Sequence, residues 1–269
     1  MLYTFGVVMN PHKLLPTLSS ITTSDKWYTY YKANAEFQLE IPWKRGAEIT
    51  EDERNAIGDS LAAWQLGETS DGLHLLAAAK NYAQHIKDPR YIDVIELFIK
   101  EEQRHGGDLG RFLDLAQIPR LQHNWGDTLF RKIRYAIPTM EIWTTPVIMV
   151  ETLALVYYKA IQNATNSPVL KQLCQQILRD EVKHIRFQYE RLAIIQKNRP
   201  AWLRKLTYLI QQLLYYVPVI LVWMGHHRAL RAGGHSFKSY WRDAWVKMNF
   251  AWERMKPERY PSSVTFRVF

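Results

Sequence analysis

Apolar residues recur every three to four positions along most of this chain, which is the spacing that buries one face of an α-helix. Four long segments carry the pattern. They span about residues 50–84, 91–115, 139–164 and 167–198. No stretch shows the convincing alternation of a half-buried strand. The sequence therefore predicts an all-α fold, with these segments forming a four-helix bundle.

Local signals mark the ends of these predicted helices. Thr50 and Glu53 form a capping box at the start of the first helix. Ser167 and Pro168 pair an N-cap with proline at the first position of the fourth. Pro146, near the first turns of the third helix, predicts a kink there or a later start.

The regions that flank the bundle, residues 50–198, have a different character. Residues 1–49 lack a sustained helical period and are expected to form an arm, extended over 37–43, that lies on the bundle. A short helix over 127–136 is expected between the second and third bundle helices. Residues 199–269 should pack on the bundle as well, so that the chain forms a single domain.

The C-terminal region has two parts. The first is a further helix over about 200–224, and within it residues 206–225 carry no charge over twenty positions. We expect this apolar segment to close the bundle or to line a substrate tunnel, with contact at a membrane surface and a true membrane span as alternatives. Beyond Gly233-Gly234, a basic, Trp-rich segment predicts a helix packed by its tryptophans.

Composition and charge narrow the class of protein. The chain has 269 residues, 47% of them hydrophobic, which suffices for a sizeable core. The single Cys174 excludes an internal disulfide and a thiolate zinc cage. The expected location is the cytoplasm, because no basic leader with a long apolar core is seen. A net charge of +9 favours an acidic partner or an anionic membrane surface, and no recognised module supports nucleic-acid binding.

Two Glu-x-x-His motifs carry the candidate chemistry. Glu102 and His105 lie in the second predicted helix, and Glu181 and His184 lie in the fourth. Residues three apart share one helix face, so each pair can present a carboxylate and an imidazole to one metal ion. Di-metal four-helix bundles use this layout and take one further Glu from each of the other two helices.

The remaining two helices offer suitable carboxylates. Glu151 is a solitary acid in the apolar run PVIMVETLALVYY, where an unpartnered charge would be costly. Glu68 completes an internal repeat, since 34 residues separate it from Glu102 and 30 separate Glu151 from Glu181. Asp71, with His74 three residues later, is an alternative to Glu68 as the ligand from the first helix.

The segments IKEEQRHGGDLGRFL (99–113) and LKQLCQQILRDEVKHIRFQYERL (170–192) resemble the motifs of soluble acyl-carrier-protein desaturases. Those enzymes belong to the ferritin-like di-iron proteins, together with arylamine N-oxygenases. Lys183 stands where the desaturases usually have Arg. The resemblance implies that Glu101 and Asp180 do not bind the metals themselves but surround the ligands and hold them in position. It implies six iron ligands: Glu68, Glu102, His105, Glu151, Glu181 and His184.

Mixed carboxylate and imidazole ligation favours iron, as an Fe/Fe or Fe/Mn pair, over zinc. We therefore expect an oxidoreductase that uses O₂ to desaturate or oxygenate a hydrophobic, carrier-bound acyl or similar substrate. An acidic carrier protein or electron donor is an expected partner, and a homodimer is the expected assembly. Two alternatives are a ferroxidase or iron-handling protein and a non-enzymatic membrane- or carrier-associated protein that metals stabilise.

Overall fold

The computed structural model describes residues 21–70, 72–124 and 139–260. Within these ranges the chain contains eight α-helices and no strand, which confirms the predicted all-α class. The predicted helix over 127–136 lies outside the described residues. The helices are α1 Ser24–Glu36, α2 Glu51–Glu68, α3 Leu73–Ile86, α4 Arg90–Leu115, α5 Met140–Ala164, α6 Pro168–Gln196, α7 Ala201–Ala232 and α8 Phe237–Met255.

Helices α2, α4, α5 and α6 form the bundle predicted from the four periodic segments. Helix α2 packs along α4, and α5 packs along α6, while contacts between α4 and α6 and between α2 and α5 join the two pairs. Helix α1 lies on α4, and α3 lies on α4 and α5. On the other side, α7 packs against α5 and α2, and α8 packs against α6 and α5.

The apolar core is divided into two clusters. Each cluster contains residues from α4, α5 and α6. Phe98, Val147 and Phe187 belong to one cluster, and Leu109, Leu153 and Ile177 belong to the other. Between these positions the same three helices carry their Glu and His residues, so a polar layer lies between two apolar ones.

The expectation of one helix over residues 50–84 is wrong, because the chain breaks between α2 and α3. The predicted capping box of Thr50 and Glu53 does start α2. That helix ends at Glu68, and Gly72 then adopts a left-handed conformation with φ of 71°. A Cβ atom on Gly72 would lie 2.6 Å from the side chain of Ile99, so this residue combines positive φ with a close approach to α4.

The expectation of a non-helical arm over residues 1–49 is also wrong in part. Thr23 caps α1, and the helix buries Trp27 and Tyr31 in the core cluster that contains Phe98. Residues 38–42 have no regular structure, in line with the expected extended segment. Aromatic residues spaced four apart bury one side of α1, although many of its other positions are polar and exposed.

Two further helix ends differ from expectation. Helix α5 starts at Met140, capped by Thr139, and continues through Pro146, so the later start considered for this helix is wrong. Helix α7 extends eight residues beyond the expected end, to Ala232, and stops where Gly233 lies directly against Ala160 of α5. Gly233 leaves room for this close contact because it has no Cβ atom.

The break before α3 predicts the effect of a single methyl group. Gly72→Ala should lower the free energy of unfolding by about 1–2 kcal/mol, because an L-residue is strained in the left-handed region, and the contact with Ile99 adds to this. Urea unfolding measures the change. Gly107→Ala is the matched control in α4, where a Cβ atom meets nothing within 4 Å, and it should stabilise the protein by roughly 0.5–1 kcal/mol. Equal effects of the two substitutions would contradict a left-handed Gly72 packed against Ile99.

Candidate metal centre

The six side chains expected to bind metal come together inside the bundle. Their ligand atoms form two groups, and within each group these atoms lie within 4.8 Å of one another. The first group is Glu68, Glu102, His105 and Glu181, and the second is Glu102, Glu151, Glu181 and His184. Glu102 and Glu181 belong to both groups, so their carboxylates lie between two potential metal positions.

A glycine allows α2 to reach this site. Gly106 follows His105 on α4 and faces the end of α2, where a Cβ atom would lie 2.9 Å from Thr69 and 3.2 Å from the backbone of Glu68. The absence of a side chain lets α4 approach the last turn of α2. The approach places Glu68 beside the two ligands of α4.

Each histidine is held by an acid from the opposite helix. His105 of α4 donates from Nε2 to Asp180 of α6, at 3.0 Å, and His184 of α6 donates from Nε2 to Glu101 of α4, also at 3.0 Å. With the hydrogen on Nε2, the Nδ1 lone pair of each ring is available to a metal. His184 Nδ1 lies 2.8 Å from Glu102 Oε1. The structure thus pairs the two histidines with the acids expected to support them.

Asn34 of α1 joins the two supporting acids, and sequence reasoning missed it. Its Nδ2 donates to Glu101 Oε2 at 2.8 Å and to Asp180 Oδ1 at 2.9 Å, while Arg179 donates to its Oδ1 at 2.8 Å. One amide therefore fixes both acids and, through them, both imidazole rings. The available signal was position, since Asn34 follows Tyr31 by three residues on the buried face of α1.

Asp180 receives more support than any other acid at the site. Arg104 donates to its Oδ2 at 2.6 Å and Gln176 donates to the same atom at 2.7 Å. Burial would raise the pKa of Asp180, but the hydrogen bond and charge of His105 outweigh it and lower the pKa below the usual range. This acid is therefore ionised, and its charge is compensated by partners within the protein.

The inner carboxylates lack such compensation. Burial, reinforced by the negative charges of neighbouring carboxylates, raises the pKa of Glu68, Glu151 and Glu181. Tyr158 donates to Glu68 at 2.9 Å, and Gln188 donates to Glu151. Carboxylates buried this close together require cations or protons to neutralise them.

Glu102 and the histidines complete the electrostatic pattern. Burial raises the pKa of Glu102, but the nearby imidazole of His184 outweighs it, and the pKa falls to about 2. Burial lowers the pKa of His105, but the hydrogen bond to Asp180 and the surrounding carboxylates raise it overall. In the metal-free protein the imidazoles of His105 and His184 therefore hold protons, and metal ions would displace these protons on binding.

The donor set fits a pair of metal ions. Among the buried atoms that face the site, Glu151 Oε2, Glu181 Oε2 and His105 Nδ1 have no hydrogen-bond partner in the described residues. Such orphaned atoms are rare in protein interiors unless a ligand satisfies them. Four carboxylates and two imidazoles, with no thiolate, suit iron or manganese. The alternative ligand Asp71 lies outside the described residues, and His74 is exposed and belongs to neither group.

A cavity of about 430 Å³ adjoins the candidate centre. Glu68, Glu102, Glu151 and Glu181 line it on one side. Helix α7 lines the other side with Pro218, Leu221 and Val222. Asp59 and Gly67, both exposed on α2, also line the cavity, so it opens to the surface between α2 and α7.

A histidine of α7 also belongs to the cavity wall. His226 lies there, partly buried, beside the residues of α2. Its Nδ1 lies 2.8 Å from Ser60 Oγ, which in turn lies 2.9 Å from Tyr157 Oη. Burial lowers the pKa of His226 to about 4, so the ring is neutral at pH 7.

No known protein family, curated protein or solved structure matches this chain. The case for a metal centre therefore depends on the geometry of its own residues.

The bridging amide predicts a loss of metal affinity on substitution. Asn34→Ala should weaken binding of Fe²⁺ or Mn²⁺ about 10- to 100-fold, because both imidazoles lose part of their orientation. Anaerobic titration measures the affinity, and circular dichroism checks the fold. Glu36→Ala, an exposed site on the same helix, is the control and should bind metal as the unaltered protein does. Unchanged affinity in Asn34→Ala would refute this role.

The raised pKa values of Glu151, His105 and His184 predict a pH dependence of the metal-free protein. A group whose pKa rises on folding adds stability below its unfolded pKa and loses it as pH increases through the folded value. The metal-free protein should therefore be less stable at about pH 8 than at about pH 5.5. The lowered pKa of Glu102 has the opposite effect on stability, but this effect appears only as the pH falls towards 2, below both of these pH values.

Urea midpoints measured in the presence of a chelator test this dependence. Glu151→Gln replaces the buried carboxyl by a neutral amide of similar shape and should reduce the slope between the two pH values. Glu96→Gln, on the exposed face of α4, should leave the slope unchanged. Stability that rises with pH in the unaltered metal-free protein would contradict the charge assignment.

Proposed function

We propose that the protein is a di-metal oxidoreductase, with iron as its metal, that uses O₂ to oxidise a hydrophobic substrate. One observation carries the proposal. The four carboxylates of the candidate centre and an apolar wall formed by α7 line the same cavity. A substrate bound against α7 would therefore lie beside the metals.

The protein's own residues have separable roles in this proposal. Glu102 and Glu181, which belong to both groups of ligand atoms, would hold both metals, and His105 and His184 would each hold one. Tyr158 holds the carboxylate of Glu68 by a hydrogen bond of 2.9 Å. When bound, a pair of irons supplies the electrons and open coordination positions that reduce O₂, with an external donor restoring them.

The cavity wall supports an apolar substrate. Val147, Val150 and Ala154 of α5 face the cavity together with Leu221 and Val222 of α7. These side chains make this part of the wall apolar and offer no partner to a charged substrate. An acyl chain or another lipophilic molecule fits this lining.

Single-turnover O₂ uptake tests the proposal. The protein loaded with Fe²⁺ under anaerobic conditions should hold two irons per chain and consume O₂ with a change in absorbance. Glu151→Ala and His184→Ala should each lose iron from the second group and most of the uptake. Glu96→Ala and His85→Ala, at exposed positions, are the controls.

The outcomes separate this function from the alternatives. Iron bound without O₂ uptake would contradict an oxidase and favour a metal that only cross-links the helices. Uptake of iron far beyond two ions per chain, in a large assembly by size-exclusion chromatography, would instead identify an iron-handling protein.

A further inference from the structure

Helix α7 presents a broad apolar surface to solvent. Of the seventeen large hydrophobic side chains that are exposed among the described residues, ten lie on this helix. Leu213 is 61% exposed and Met224 is 62% exposed. Single exposed apolar side chains are normal on a protein surface, but a large contiguous apolar face marks an interaction site.

The opposite face of α7 fixes the helix lengthwise on the bundle. Gln211, Tyr215 and Val219 are buried at four-residue intervals, and Tyr215 donates to the carbonyl oxygen of Ala244 in α8 at 3.1 Å. Helices α5 and α7 are both long and apolar enough to cross a membrane, by length and composition only. The apolar window of α5 is 67% buried, whereas that of α7 is 17% buried.

Positive charge borders this apolar face. No charged residue occurs from 206 to 225, and exposed Lys205 and Arg231 lie at the two ends of α7. Helix α8 follows as the second arm of a hairpin and exposes Lys238 and Lys247 beside its own apolar groups. Together α7 and α8 contain eight Lys/Arg and two Asp/Glu. Apolar faces with basic borders are typical of helices that lie in the interface of an anionic membrane.

We propose that this outward surface of α7 and α8, the hairpin face, docks on an anionic lipid bilayer and lies in the interface of one leaflet. The buried stripe of α7 favours this mode over a span, since the helix lies along the protein body. The charge favours lipid over a second copy of the chain. A two-fold dimer through the hairpin face would bring the same basic borders together.

The hairpin face also borders the cavity. Leu221 and Gly225 of α7 line the cavity, and each adjoins an exposed apolar residue in sequence, Ile220 and Met224 respectively. A lipophilic molecule in the bilayer can therefore reach the cavity along α7 with little exposure to water. This delivery rests on the proposed oxidase function, whereas docking itself does not.

Vesicle flotation with the full chain tests docking. The protein should bind preformed vesicles of phosphatidylcholine and phosphatidylglycerol in equal parts, and bind phosphatidylcholine vesicles much less. High salt should weaken the binding. Leu213→Glu should reduce partitioning about tenfold or more, from the lost burial of one leucine. Lys205→Gln and Lys247→Gln should each reduce it about fivefold on anionic vesicles.

Matched substitutions on α3 control for charge and surface polarity. Leu73 is 64% exposed and Lys80 is exposed on this helix, which packs on α4 and α5. Leu73→Glu and Lys80→Gln should bind vesicles as the unaltered protein does. Losses equal to those of the hairpin variants, or no vesicle binding at all, would overturn the proposal. So would a stable dimer without vesicle binding that Leu213→Glu dissociates.

Docking and the oxidase function fail separately. Leu213→Glu should leave O₂ uptake by the iron-loaded protein in buffer unchanged, because Leu213 does not line the cavity. Vesicle binding without O₂ uptake would remove the proposed function and keep the docking surface. O₂ uptake without vesicle binding would keep the proposed function and remove the docking surface.

Discussion

The structure depends on the accumulation of buried negative charge at the centre of the bundle. Four glutamates from four helices lie close together, and three of them have raised pKa values because burial and mutual repulsion oppose ionisation. A folded protein retains such a cluster only where cations neutralise it or where protons do. The surrounding framework makes sense as a means of holding these carboxylates ready for metal ions.

In that framework, residues at the periphery of the site orient the ligands through hydrogen bonds. The amide of Asn34 links Glu101 to Asp180, and each of these acids orients a histidine on the facing helix. Helix α1 is therefore part of the candidate centre although it supplies no ligand. The cavity and α7 continue the same arrangement, because the apolar wall that lines the cavity beside the carboxylates is the inner side of the proposed membrane surface.

Much of this architecture could be predicted from periodicity and motif spacing, since Glu-x-x-His on two helices and a solitary Glu151 are local features. The break at Gly72 could not, because it depends on the contact with Ile99 of a distant helix. Asn34 was missed because its partners lie 67 and 146 residues away. For α7 the sequence left burial and contact with a membrane surface open, because an apolar run is compatible with both and only the packing shows which faces remain uncovered.

The most direct measurement is anomalous X-ray diffraction from crystals of the protein grown with Fe²⁺ under anaerobic conditions. The account predicts two iron peaks inside the bundle that share the carboxylates of Glu102 and Glu181, with His105 on one and His184 on the other. A bundle with these side chains in the same positions and no metal between them would contradict the central claim.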